Sequence, residues 1–216
     1  ERETSDVVEA KVGAEIKLND TAQTAKGRML IKFLDDAELS LIEHTKVYID
    51  KVYYDPNPSK SKMVMKMALG TARFASGRMG MVPKQNIDIS TPTATIAVRG
   101  TDFTTTIDEL GRSLIILLPD ENGEPSGEIL VSNEAGSINL KEAYAATMVS
   151  SISTPPTMKV VIENITPSII DNMFIVNPPQ EVRRAIEEQV ADDQQFDMGA
   201  LDMDFLEFNE LEKGID

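Results

Sequence analysis

Residues able to do chemistry are few in this chain, and their spacing does not suit it. His44 is the single histidine among 216 residues, and cysteine is absent. One imidazole without a thiol cannot assemble a histidine-based zinc site or a His-assisted nucleophile pair. Beside Glu43, on a strand, His44 reads as a surface or pairing residue. Asp35 and Asp36 are of the type used in a glycosidase carboxylate pair. Neighbours on an extended strand point to opposite faces, however, so the two read as a turn. Asp192, Asp193, Asp202 and Asp204 match the oxygen ligands of calcium in type but lack the glycine-centred EF-hand spacing. Gly77-Arg78-Met79-Gly80 is too short, and follows no helix signal, to cradle a phosphate. The sequence predicts a non-enzymatic protein with no cofactor and no metal site.

What these residues sit on is mainly β. The stretch from Ile89 to Phe103 is the one around which the chain is organised. Its β-branched Thr91, Thr93, Thr95 and Val98 favour a pleated backbone, and Pro92 belongs at an edge or corner because it lacks a donor. Arg99-Gly100-Thr101 follows as a structural corner, in which Gly100 supplies positive φ or a close approach and Arg99 can tie down carbonyls. Short strands separated by Gly, Asn or Asp run on to residue 149 with no helix between them, as in a sandwich, barrel or short solenoid. Val7 to Leu18 alternates and reads as a half-buried strand with a corner at Gly13. Met63, Met65, Met67 and Leu69 alternate on a strand closed by Gly70, and Leu114 to Leu118 reads as a fully buried strand.

The net charge is −15, from 21 basic and 36 acidic residues. That excludes general nucleic-acid binding, which needs cations against phosphate, and docking on anionic membranes. No apolar run approaches the ~20 residues that span a bilayer, so no membrane insertion is expected. Most of the eleven methionines read as core filler.

Three regions follow. Residues 1–153 form the β domain. Thr154-Pro155-Pro156 opens an arm over 154–191, with a strand at Met158–Ile162, a hairpin around Asp171-Asn172 and a helix from Glu181 to Val190. Residues 192–216 form an acidic tail. Twelve acidic and three basic residues lie beyond residue 180, nine of the net negative charges. Phe196, Met198, Leu201, Met203, Phe205, Leu206, Phe208 and Leu211 interrupt the acids. Bulky apolar groups among acids suit a peptide that orders on a partner groove, and a segment folded back on its own domain is the alternative.

Thr91-Pro92-x-Ala94 followed by Val98-Arg99-Gly100-Thr101-x-Phe103 resembles the signature of the FecR-like domain. Phe33 to Leu39 is similar to that family's Asp-Gly-Ser turn, with Asp36-Ala37 in place of Asp-Gly. Leu69-Gly70-Thr71-Ala72-Arg73-Phe74 is similar to its Gly-x-x-Arg segment. The resemblance covers about Val7 to Ile107 and implies a compact β-solenoid or rolled sheet. It also implies a role without catalysis, because the motifs are turns and core positions.

In FecR-type regulators such a domain lies outside the cytoplasm and senses a transporter. FecR-like domains also occur in virion proteins of marine tailed phages, which this acidic, cysteine-free chain resembles more closely. The first expectation is therefore a structural, protein-binding subunit of a multi-subunit assembly, a phage virion component. Its partners would be copies of itself or other virion proteins, in a homo- or hetero-oligomer. The alternative is a periplasmic or cell-surface signalling or binding module that recognises a receptor or glycan.

Overall fold

A computed structural model describes residues 7–81, 86–120 and 122–162. Within it the chain is mainly β, with thirteen strands and two short 3-10 turns. The strands are β1 (Thr21–Gln23), β2 (Met29–Lys32), β3 (Glu38–Leu41), β4 (Lys46–Tyr53), β5 (Lys62–Ala75), β6 (Ile87–Ser90), β7 (Thr95–Arg99), β8 (Asp102–Ile107), β9 (Ser113–Leu117), β10 (Glu128–Asn133), β11 (Gly136–Leu140), β12 (Ala145–Val149) and β13 (Val160–Val161).

β5 is the spine. Its first half pairs with β4 on one side and, in parallel, with β6 on the other. Its second half pairs with β3 and β8. One strand thus belongs to two sheets, ordered β1-β4-β5-β6-β7-β10-β11 and β2-β3-β5-β8-β9-β12-β13. Together they make one curled sheet that rolls over a shared core. After β5 the chain lays down antiparallel hairpins in alternate sheets: β6–β7 in the first, β8–β9 in the second, then β10–β11 and β12–β13.

Gly70 does not close the methionine strand; it lets the strand change sheets. Met63, Met65 and Met67 point inward, Ala68 and Leu69 both face out, and Ala72 and Phe74 point inward again. That reset of the period-2 pattern coincides with a register shift against Lys46 and Val47, the signature of a β-bulge. Gly70 has φ +86°, and a Cβ there would stand 2.5 Å from Thr45 Cα. Thr45 is buried in the facing corner and bonds the backbone of Thr71 in both directions at 3.0 Å. His44 lies in that corner, exposed and with φ +55°, and not on a strand as its neighbours in sequence suggest.

The core is apolar from both sheets. Val47, Met65 and Ile89 face Leu39, Phe74 and Phe103, and the rings of Phe74 and Phe103 lie 6.0 Å apart. Thr105 Oγ1 is buried there without a hydrogen-bond partner among the described residues, beside a void of about 10 Å³.

Two expectations at the margins change. Residues 7–18 form no strand and are exposed throughout, Val12 fully so. Their alternation is real, but no ladder of the described residues takes them up, and an apolar stripe without a facing strand stays in solvent. Among the described residues of the arm, only Val160–Val161 forms a strand, laid along β12. Thr157 and Ile162 extend that contact through backbone bonds to Met148 and Tyr144. The expected hairpin at 171–172, the helix at 181–190 and the tail at 192–216 lie outside the described residues.

Candidate functional site

Arg99-Gly100-Thr101 joins β7 to β8, where the chain passes from one sheet to the other. Three glycines let three segments cross there. A Cβ on Gly100 (φ +56°) would meet Gly80 O at 2.9 Å, and one on Gly127 would meet Gly100 O at 2.1 Å. Thr101 is buried. Its carbonyl accepts from Ser76 N at 3.0 Å, and its hydroxyl lies 3.1 Å from Ser126 Oγ. Ser126 Oγ also accepts from Asp102 N at 2.9 Å and donates to Leu118 O at 2.6 Å. These contacts are internal, which makes the corner a staple between sheets. Arg99 itself is exposed at the end of β7.

Next to the corner, Arg73 on β5 grips Asp102 on β8. Arg73 Nε donates to both carboxylate oxygens at 2.9 and 3.1 Å, and its Nη2 adds a further bond. Both side chains are largely buried. Burial pushes the Asp102 carboxyl above its ordinary value, and the Arg73 guanidinium only partly offsets that. Asp102 occupies the variable position of the Arg-Gly-Thr-x-Phe motif, and Arg73 ends the Gly-x-x-Arg segment. The two motifs therefore meet in space, a pairing that neither shows by itself in the sequence.

Asp35 and Asp36 form the β2–β3 turn. Asp36 has φ +70°, the left-handed conformation that the glycine of the resembling turn would take. Buried Asp35 holds the 3-10 turn Arg78–Met81, accepting from Met79 N at 3.2 Å and, on its main-chain oxygen, from Arg78 N at 2.8 Å. The Asp35 carboxylate holds backbone, at Ala37 N and Met79 N, while the exposed Asp36 carboxylate pairs with Arg78 Nε at 3.1 Å, so the two share no substrate position. Nearby, burial and the Asp35 charge push the Tyr54 hydroxyl up to about 12.

At the far end of β7, the turns around Thr91–Thr95 and Ser132–Glu134, with Ile152, line an open cleft of about 370 Å³. Its polar groups are committed. Thr93 Oγ1 lies 2.8 Å from Ser113 Oγ and bonds Val149 O at 3.1 Å, while Asn133 Nδ2 donates to Ser151 O at 3.0 Å. Among the described residues no three His, Cys, Asp or Glu cluster as metal ligands. No helix among them is long and apolar enough to cross a membrane. The predicted partner-binding residues from Phe196 to Leu211 lie outside the described part.

Residues 20–118 match the family described as FecR protein. That stretch, slightly under half of the chain, is similar to the FecR domain. The match starts at β1 and ends just past β9, later at both ends than the span from Val7 to Ile107 read from the motifs. It leaves out residues 7–19 and the two hairpins β10–β11 and β12–β13. No curated protein matches the chain. Two crystal structures of a protein of Parabacteroides distasonis ATCC 8503 described as an anti-sigma factor are similar at 12% identity, with TM-scores of 0.49 and 0.48. The alignments cover 66% of this chain, which spans 59% of theirs. These matches name a FecR protein and an anti-sigma factor; none of them names a virion protein.

Proposed function

We propose that the FecR-like domain is a non-catalytic protein-binding module of a regulatory system, working outside the cytoplasm and reporting a partner's state through contact. The match of residues 20–118 to the FecR family carries this reading. The family-matching motifs support it, because they build the sheet crossing, the Arg73–Asp102 pair and the Asp35 turn rather than a reactive centre. Binding is assigned to residues 192–216, whose acids and bulky apolar groups suit a partner groove with basic rims.

A second reading, a structural subunit of a multi-subunit assembly such as a virion, is favoured by one observation: the apolar residues of 7–18 lie open on the surface. Cross-linking the full-length protein in its native cells and identifying the linked chains separates the two. The regulatory reading expects residues 192–216 to link to a receptor or regulator chain, and the links to vanish on their deletion. Links confined to shell or tail subunits of a virion would replace it with the second reading.

A further inference from the structure

Residues 8–18 read Val-Glu-Ala-Lys-Val-Gly-Ala-Glu-Ile-Lys-Leu. Every even position is apolar, and the odd positions are Glu9, Lys11, Gly13, Glu15 and Lys17. Laid antiparallel on a second copy with Gly13 facing Gly13, the order is self-complementary. Glu9 faces Lys17, Lys11 faces Glu15, Val8 faces Leu18, Ala10 faces Ile16 and Val12 faces Ala14, each pair occurring twice about the two-fold axis. Directly opposed residues project on the same face of a sheet. All the charge pairs therefore fall on one face with opposite signs, and all the apolar pairs on the other.

We propose that this segment is a homophilic contact, pairing with the same segment of a second copy of this chain to form an isologous, two-fold antiparallel ribbon. The single chain does not satisfy the pattern by itself. Gly13 has φ +84°, and Ala14 N donates to Lys11 O at 2.9 Å, so the backbone turns at Val12-Gly13. A hairpin closed on that turn would set Ala10 against Glu15 and Glu9 against Ile16, apolar against charged. The structure shows no such ladder, and residues 7–18 stay exposed. Asn19 N donates to Ile49 O at 2.8 Å, which ties the base of the segment to β4 and leaves the rest projecting from the domain.

A two-stranded ribbon is marginal in isolation. The paired segments present an apolar face of twelve side chains, and two ribbons stacked on that face bury it. The assembly thus contains an even number of copies, two or four.

The test uses the full-length chain and its mass in solution. The variant E9K/E15K carries only lysines at the four charged positions, and K11E/K17E carries only glutamates. The wild type is expected to run as an even multiple that weakens with added salt. Each variant alone replaces four attractive pairs with four repulsive ones and should associate more weakly by on the order of a hundredfold. An equimolar mixture of the two variants restores every opposite-charge pair and should recover the wild-type mass. Unchanged thermal unfolding of each variant confirms that the domain is intact, and deleting residues 192–216 should leave the mass an even multiple. A monomeric wild type at its solubility limit would overturn the proposal. So would single variants that associate as the wild type does, or a mixture that stays monomeric.

Discussion

Replacing Gly70 with Ala tests whether β5 is pinned where it changes sheets. Two costs act at this position. Holding a Cβ-bearing residue in the left-handed region takes about 1–2 kcal/mol. The new Cβ would also stand 2.5 Å from Thr45 Cα and 2.7 Å from His44 O. These are backbone atoms that cannot rotate aside, and overpacking of this kind costs about 1–3 kcal/mol. The expected loss is therefore about 2–5 kcal/mol, against a typical total stability of roughly 5–15 kcal/mol. Urea unfolding followed by circular dichroism reads the loss, with an unchanged m-value showing that the same surface is exposed. Two controls separate the terms. Gly123 has φ +80° with nothing within 4 Å of its would-be Cβ, so Gly123→Ala should cost only about 1 kcal/mol. At Gly127 a Cβ would meet Gly100 O at 2.1 Å, so Gly127→Ala carries the steric cost without the conformational one. If Gly70→Ala costs no more than Gly123→Ala, the corner at Thr45 yields freely and β5 is not held there.

Thr105→Val removes a buried hydroxyl without a partner while keeping the side-chain volume, and should raise stability by about 1 kcal/mol in the same assay; a loss would show that the hydroxyl is satisfied. Because burial raises the Asp102 carboxyl, the native state binds that proton more tightly than the unfolded chain does. The ionised form is thus a burden at neutral pH that is relieved as pH falls through the raised value toward 3.8. The stability of Asp102→Asn relative to the wild type should therefore fall as the pH is lowered through that range. Arg73→Met, which strands the carboxylate, should cost about 3–5 kcal/mol. An Asn variant whose difference from the wild type is flat across that pH range would contradict the assignment.

Local chemistry was readable where it is decided locally. The Asp35-Asp36 turn and the Ile107–Gly111 turn follow from their own residues. In the latter, Asp108 Oδ1 caps Leu110 N and Arg112 N at 3.0 and 2.8 Å. Leu114 to Leu118 lands on β9, with Leu114 half-buried and Ile115 to Leu118 buried. What escaped the sequence is non-local. Gly70 resembles a strand end because two outward residues precede it, and only the facing corner explains why the strand continues. Arg73 and Asp102 are 29 positions apart, and the need of Gly127 to be bare is set by the carbonyl of Gly100. Residues 7–18 show the opposite limit. Alternation reports that a strand is possible and says nothing of whether a partner strand is present.

Because β5 serves both sheets and each later hairpin is dealt to the opposite sheet from the one before, no single cut divides the chain into two complete sheets. A nick or an insertion anywhere between β3 and β12 touches both halves. The FecR-like domain should therefore lack subunits of its own stability, with amides of β5, β8 and β9 exchanging only through global opening. A partner that pulls on β13 through the arm would load the whole roll at once, so the domain would transmit force as one body until it unfolds.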